Sequence, residues 1–304
     1  MTLGLTDTDP AAVARTVLVA WADTLDAAKG LAGEDGLDRP SRLPGWTGRD
    51  ICIHLGLWPD QQPLADILAS ARSGAPGTSQ PPDRHNAAVL AAHRGADDAT
   101  VLGALEASRD SLARWLDSPD FAREARLPGS SILGPMPALT IAHAGTFELA
   151  VHGLDLATCG ARPPGPELLD AGLAALVDVT GCLAARTGVR GRLALRTPEG
   201  GWWTATRPGE GWTAGPVTGA APDGVVVDGE PATLLDAAAG RTNALHLFAT
   251  RRVRVHDLAG LLAFTPVLDA APNLPGGPAL RLAAKGVAGV GGAVGRVFGA
   301  FGRG

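Results

Sequence analysis

Residues 138–159 form a long apolar run without proline, broken before Cys159 by four titratable side chains, His143, Glu148, His152 and Asp155. Its length and pattern predict a helix. Ionisable groups in so apolar a helix are costly to bury unless something pairs with them, so this segment constrains the chain more than any other. In Gly145-Thr-Phe-Glu-Leu-Ala-Val-His-Gly-Leu-Asp155, Glu148 and His152 stand four residues apart and Asp155 three further on. That spacing puts all three on one face of a helix. A carboxylate beside an imidazole can hold a divalent metal when a third ligand arrives from elsewhere. The candidate is His54, in Arg49-Asp-Ile-Cys-Ile-His54, with Asp50 four residues before it.

Both segments lie among other expected helices. Asp9-Pro10 is a helix start with proline at the first helical position, and Val13, Val17, Val19, Ala20 and Leu25 follow at roughly helical period. Thr47, after the turn signal Pro44-Gly45, can cap a helix through His54 to about Trp58, which Pro59 ends. Further helices are expected over 63–72, 86–93 and 98–116, with a Gly/Pro/Ser loop at 73–82 and a long loop at 119–137. No strand is expected before residue 160. Consecutive helices of this kind suggest a bundle, and bundles build metal sites from inward side chains on different helices.

Gly160-Ala-Arg-Pro-Pro-Gly-Pro166 marks the clearest boundary. After one more helix at 167–187 the pattern turns to short strands at 192–197, 202–206, 211–213 and 224–228, the first two joined by Pro198-Glu-Gly-Gly201. A helix at 231–239 stopped by Gly240-Arg241, a short strand at 253–256 and a helix at 258–268 complete an α+β region. The expectation is a multi-domain chain: an all-α domain at 1–163 and a smaller α+β domain at 164–270. From 271 to 304, glycine recurs every two or three residues, which disfavours a helix and predicts a mobile tail.

Composition narrows the partners. Lys and Arg number 26 against 31 Asp and Glu, so a net charge of -5 gives no reason to expect nucleic acid. The first residues lack the basic and apolar regions of a secretory signal. No apolar run reaches the length of a membrane span. Cys52, Cys159 and Cys182 are odd in number and form no C-x-x-C pair, so neither a zinc knuckle nor a disulfide framework is expected. The expected setting is the cytoplasm, with reduced thiols. Arg outnumbering Lys, the absence of Tyr and the wealth of Ala and Gly fit a GC-rich bacterial genome.

From the residues alone the polar cluster has two readings. With seven histidines, an acidic residue four positions earlier arises by chance in most such chains. Asp50/His54 and Glu148/His152 are then buried, hydrogen-bonded pairs. In the other reading His54, Glu148 and His152 are ligands of one metal. Asp50 and Asp155 orient the imidazoles, or Asp155 joins as a fourth ligand. Three protein ligands leave an open position, the mark of a catalytic zinc. His143, five residues before Glu148 and so about 140° around the helix, should face elsewhere. Cys52 should point away from His54 and act as a core thiol. His85 and His93 read as solvent-facing or structural, and Trp46, Trp58, Trp202, Trp203 and Trp212 as core.

Three stretches resemble a known family. Leu43-Pro-Gly-Trp-Thr-Gly-Arg-Asp-Ile-Cys-Ile-His54 is similar to its Gly-Trp, Arg/Lys-Asp, His-Leu pattern, and Phe147-Glu-Leu-Ala-Val-His-Gly-Leu-Asp155 to its Glu-x-x-x-His-x-x-Asp pattern. Val227-Asp-Gly-Glu-Pro-Ala-Thr-Leu-Leu-Asp-Ala-Ala-Ala-Gly-Arg241 is similar to the C-terminal module that often accompanies them. Over about residues 10–268 the chain thus resembles the mycothiol-dependent maleylpyruvate isomerases of the DinB-like superfamily. The resemblance implies a DinB-like four-helix bundle with His54, Glu148 and His152 on zinc, followed by a sterol-carrier-protein-like α+β domain. It implies mycothiol as thiol cosubstrate and an isomerase or thiol S-transferase in which a zinc-bound thiolate adds to an electrophilic substrate. A substrate with two carboxylates calls for a bidentate cation, for which Arg241 is the first candidate and Arg49 the second. A metal-dependent hydrolase using activated water and a non-enzymatic ligand- or partner-binding protein are the alternatives. The residues that touch the thiol cosubstrate are not readable.

Overall fold

The computed structural model describes residues 1–33, 35–75, 82–207, 209–219 and 223–270. The expected tail at 271–304 lies outside the described residues, as does most of the 73–82 loop. The elements in order are β1 (Thr2–Leu3), α1 (Leu5–Thr8), α2 (Pro10–Leu31), a 3-10 turn (Gly36–Asp38), α3 (Gly48–Leu55), α4 (Pro63–Ser73), α5 (Pro82–His93), α6 (Asp98–Leu116) and α7 (Phe121–Glu124). A small hairpin of β2 (Pro128–Gly129) and β3 (Met136–Pro137) leads into α8 (Ala138–Ala157) and α9 (Pro166–Thr187). Then come β4 (Gly191–Thr197), β5 (Gly200–Arg207), β6 (Gly211–Pro216), β7 (Val225–Gly229), α10 (Pro231–Ala238), α11 (Ala244–Ala249), β8 (Val253–Val255), α12 (Leu258–Ala263) and α13 (Thr265–Asp269).

Helix α2 starts where its cap chemistry says. Asp9 accepts a hydrogen bond from the Ala12 N–H, and Pro10 occupies the first turn. Val13, Val17, Ala20, Leu25 and Ala28 form its buried stripe. Val19, counted with that stripe from the sequence, is 59% exposed, because it lies two residues from Val17 and so points away. The stripe packs on α8 and α6, and α3 packs on α6, α5 and α8. Helix α3 stops at Leu55, short of the expected Trp58. That tryptophan instead folds back and donates its ring N–H to the Ile53 carbonyl at 2.9 Å.

Helix α9 joins the helical and sheet regions. It packs on α8 on one side and on β5 and β6 on the other. By length and composition it could cross a membrane, but most of its apolar stretch is buried in this core. The absence of a side chain at Gly181 allows the close approach: a Cβ there would meet Thr204 Oγ1 at 2.1 Å and Trp212 Cδ1 at 2.5 Å.

The strands form one mixed sheet in the order β1-β6-β5-β4-β7-β8. The hairpin β4–β5 pairs Leu195 with Trp202, and β7 runs parallel to β4. At the opposite edge Thr2 and Leu3 pair in parallel with Gly211 and Trp212. The first residues of the chain therefore belong to the sheet that residues 191–255 build. A two-residue strand carries no readable alternation. Asp178 of α9 fixes that edge, accepting from the Leu5 N–H at 3.0 Å and the Trp212 ring N–H at 2.8 Å. One hydrophobic core runs from α2 through α8 and α9 to the inner side of β4 and α10, so the helical and sheet regions share an interior.

Candidate metal centre

His54 is placed by the start of its own helix. Thr47 Oγ1 accepts from the Asp50 N–H at 3.2 Å, and Asp50 Oδ2 accepts from the Thr47 N–H at 2.9 Å, a reciprocal capping box. This pins the first turn of α3 and sends His54, on the last turn, toward α8. The same chemistry removes Asp50 from the role expected of it. Its carboxylate reaches back to the unsatisfied N-terminal end of the helix and to Arg94 Nε at 2.8 Å. The side chain that hydrogen-bonds His54 is Asn86, from α5.

Helix α8 brings the other donors. His152 Nε2 lies 3.5 Å from Glu148 Oε2, and the His152 and His54 rings meet edge to face with centroids 5.1 Å apart. One donor atom from each of His54, Glu148 and His152 falls within 4.8 Å of the others. Trp46 packs its edge against His54 with centroids 5.6 Å apart. Read as a core residue from the sequence, Trp46 lies in the Gly-Trp motif and is half-buried beside the cluster.

Asp155 is fully buried, with His152 Nδ1 2.9 Å from its Oδ2. Arg42 Nε donates to its Oδ1 at 2.6 Å, and Arg241 donates through Nη2 at 3.1 Å and Nε at 3.3 Å. Arg42 also forks onto Asp236 of α10 with two bonds of 2.7 Å. Asp155 therefore ties the histidine on α8 to the loop before α3 and to the segment after α10. Sequence reading missed Arg42 and Asp236: an arginine in a loop and a single aspartate on a short helix carry no spacing signal.

The charges follow from these contacts. Burial and the neighbouring His152 push His54 down to about 4, so it is neutral at pH 7. Burial opposes charge on His152 as well, but Asp155 and Glu148 outweigh it and raise its pKa. Glu148 and Asp155 are both held below the usual carboxylate range, against burial, chiefly by His152. An imidazole whose second nitrogen is fixed by a carboxylate is oriented for a metal.

Other candidates lie away from the cluster. Arg49 braces Asp38 at 2.7 Å, Asp98 at 2.6 Å and the Ala96 carbonyl at 2.9 Å. His143 faces the far side of α8, its Nδ1 3.7 Å from Asp178 Oδ2. His93 stacks on Trp58. Cys52 is a buried thiol pushed up to about 12, first by burial.

Residues 17–157 match the family model described as the mycothiol maleylpyruvate isomerase N-terminal domain. Among curated proteins none matches the chain. Two similar solved structures are described as a mycothiol-dependent maleylpyruvate isomerase and a histidine-to-alanine mutant of it. They align with TM-scores of 0.53 and 0.52, each at 18% identity over 86% of this chain and 97% of theirs, a likeness of fold. The motifs around His54 and Glu148 fall inside the family match, so over residues 17–157 the chain is similar to the mycothiol maleylpyruvate isomerase N-terminal domain.

Proposed function

We propose that the chain is a mycothiol-dependent metalloenzyme that isomerises an electrophilic cis-enoate of the maleylpyruvate type, or transfers the thiol to such an acceptor. The observation that carries this reading is the convergence of His54, Glu148 and His152 within 4.8 Å, inside the domain that matches the family. Two imidazoles and a carboxylate suit zinc. A neutral His54 is in the state a metal ligand requires, and Asp155 orients the ring of His152, whose proton a metal would displace. Zinc held there would lower the pKa of a thiol at its open position.

The remaining chemistry is assigned to the chain and the thiol. The mycothiol thiolate adds to the activated double bond, rotation follows about the resulting single bond, and loss of the thiol yields the trans isomer. Glu148 has 42% of its side chain exposed, which supports its side of the cluster as the proposed face of entry for both molecules. Arg241, 18% exposed and anchored through Nε and Nη2 on Asp155, is the proposed clamp for a substrate carboxylate. Asp155 is the proposed positioning residue for both His152 and Arg241. The helical region is read as a DinB-like bundle, the sheet region as a sterol-carrier-like domain, and the setting as the cytoplasm.

The test pairs metal analysis with a thiol-dependence assay. Wild-type protein is expected to hold one divalent metal per chain, His152→Ala to hold none, and turnover of maleylpyruvate to require added mycothiol. Absence of stoichiometric metal after zinc supplementation would sink the site. Turnover of an ester or amide without thiol would favour hydrolysis instead.

A further inference from the structure

The edge of the sheet formed by β8 carries a second concentration of charge. The register aligns Arg196 with Asp228 and Asp228 with Arg254, so these three residues form one row across β4, β7 and β8 on one face. Arg196 forks onto Asp228 at 2.8 and 2.6 Å, and His256 Nε2 reaches the same carboxylate at 2.6 Å. Asp228 is thereby occupied. Arg254, directly opposite it, makes no ion pair among the described residues.

Two more guanidiniums arrive from the turn between α11 and β8. Arg252 Nη2 donates to Thr233 Oγ1 at 3.2 Å. Arg251 has a φ of 57°. The Arg252 N–H bonds the Leu247 carbonyl and the Arg251 N–H the Phe248 carbonyl, so Arg251 holds the left-handed position past a helix end that glycine usually fills. Arg251 is exposed, so core packing does not account for an arginine in that conformation.

All four arginines line one cavity of about 430 Å³, together with Thr197 and Thr233. Against them stand only Asp228, already occupied, and Glu230. In a chain of net charge -5 this is a local reversal of sign. We propose that the cavity binds the phosphate groups of a small phosphorylated molecule. Converging guanidinium forks suit an anion with several acceptor oxygens. An open, shallow cavity of this size suits a small anion rather than a nucleic-acid backbone, which needs an extended basic track. The proposal is independent of the metal centre, which Asp236 and Arg241 approach from the other end of α10.

Inorganic pyrophosphate is the probe, titrated calorimetrically into the full chain in moderate salt, beside citrate as a carboxylate control. Saturable one-to-one binding is expected, tighter than citrate, and weakened at least about tenfold by Arg254→Ala or Arg251→Ala. Both are exposed positions, and circular dichroism checks that the variants fold. Binding should persist in His152→Ala. No saturable binding, equal affinity in wild type and the arginine variants, citrate binding as tightly, or loss of binding in His152→Ala would each overturn the proposal. The last would place the anion on the metal cluster instead.

Discussion

His152 Nδ1 lies 2.9 Å from Asp155 Oδ2, and that one carboxylate also holds Arg42 and Arg241. The proposed ligand His152 on α8 is thus mechanically joined to the loop before α3 and to Arg241, the proposed clamp for substrate.

Replacing Asp155 by Asn keeps the shape but removes the charge that orients the ring. Metal affinity should fall about 10–100-fold, as for other partners of a ligating histidine. Competition against a chelator of known affinity measures it. Unchanged affinity would show that Asp155 serves only the arginines.

The pH dependence of metal uptake follows from the two imidazoles. His54 is pushed down to about 4 and is already neutral at neutral pH. His152 is raised, so in the metal-free chain it keeps its proton to higher pH than an ordinary histidine, and metal must displace that proton. Affinity should therefore climb as pH rises through the titration of His152. In Asp155→Asn the raised value relaxes downward, so the midpoint should move to lower pH. For the metal-free fold the linkage signs are opposite. The His152 contribution is full below the unfolded-chain value and is lost as pH rises through the folded one. The His54 contribution is present above the unfolded-chain value and is lost as pH falls toward about 4. Denaturant titrations of His54→Gln should show less loss of stability toward acid pH than wild type.

Arg241→Lys keeps a charge but cannot fork onto Asp155 and a substrate carboxylate together. With maleylpyruvate, kcat/KM should drop by about 10²-fold or more, with metal content unchanged. Normal kinetics in Arg241→Lys would remove this residue from the proposed clamp.

Arg42 and Asp236 join the loop before α3 to α10 by two bonds of 2.7 Å. Arg42→Ala strands part of the buried Asp155 charge and should cost about 1–3 kcal/mol in denaturant titrations. A double-mutant cycle with Asp236→Ala should return a coupling of about 0.5 kcal/mol or more. Additive losses would mean that the fork contributes nothing of its own.

Gly181→Ala sets a methyl group against Thr204 and Trp212 where no room exists. Overpacking of this kind costs about 1–3 kcal/mol, and thermal unfolding should report it. A neutral result would show that α9 and the sheet slide apart easily.

Much of the fold could be read locally. The start of α2 at Asp9-Pro10, the capping residue Thr47 and the strands on either side of Pro198-Glu-Gly-Gly201 are set by neighbours in sequence, since caps and turns depend on a few adjacent residues. The edge strand at Thr2–Leu3 was not legible, because its partner lies some two hundred residues away and its own length carries no period. The same divide runs through the candidate site. Helical spacing alone put Glu148, His152 and Asp155 on one face, because that face is a property of α8 by itself. Spacing misjudged Asp50, which lies four residues from His54 but answers to the open end of its helix and to Arg94. That His54 meets His152, that Asn86 steadies it, and that Arg42 and Arg241 converge on Asp155 were decided only when α3, α5, α8 and α10 packed. Contacts between distant residues depend on how whole elements stack, and no local pattern of residues encodes that.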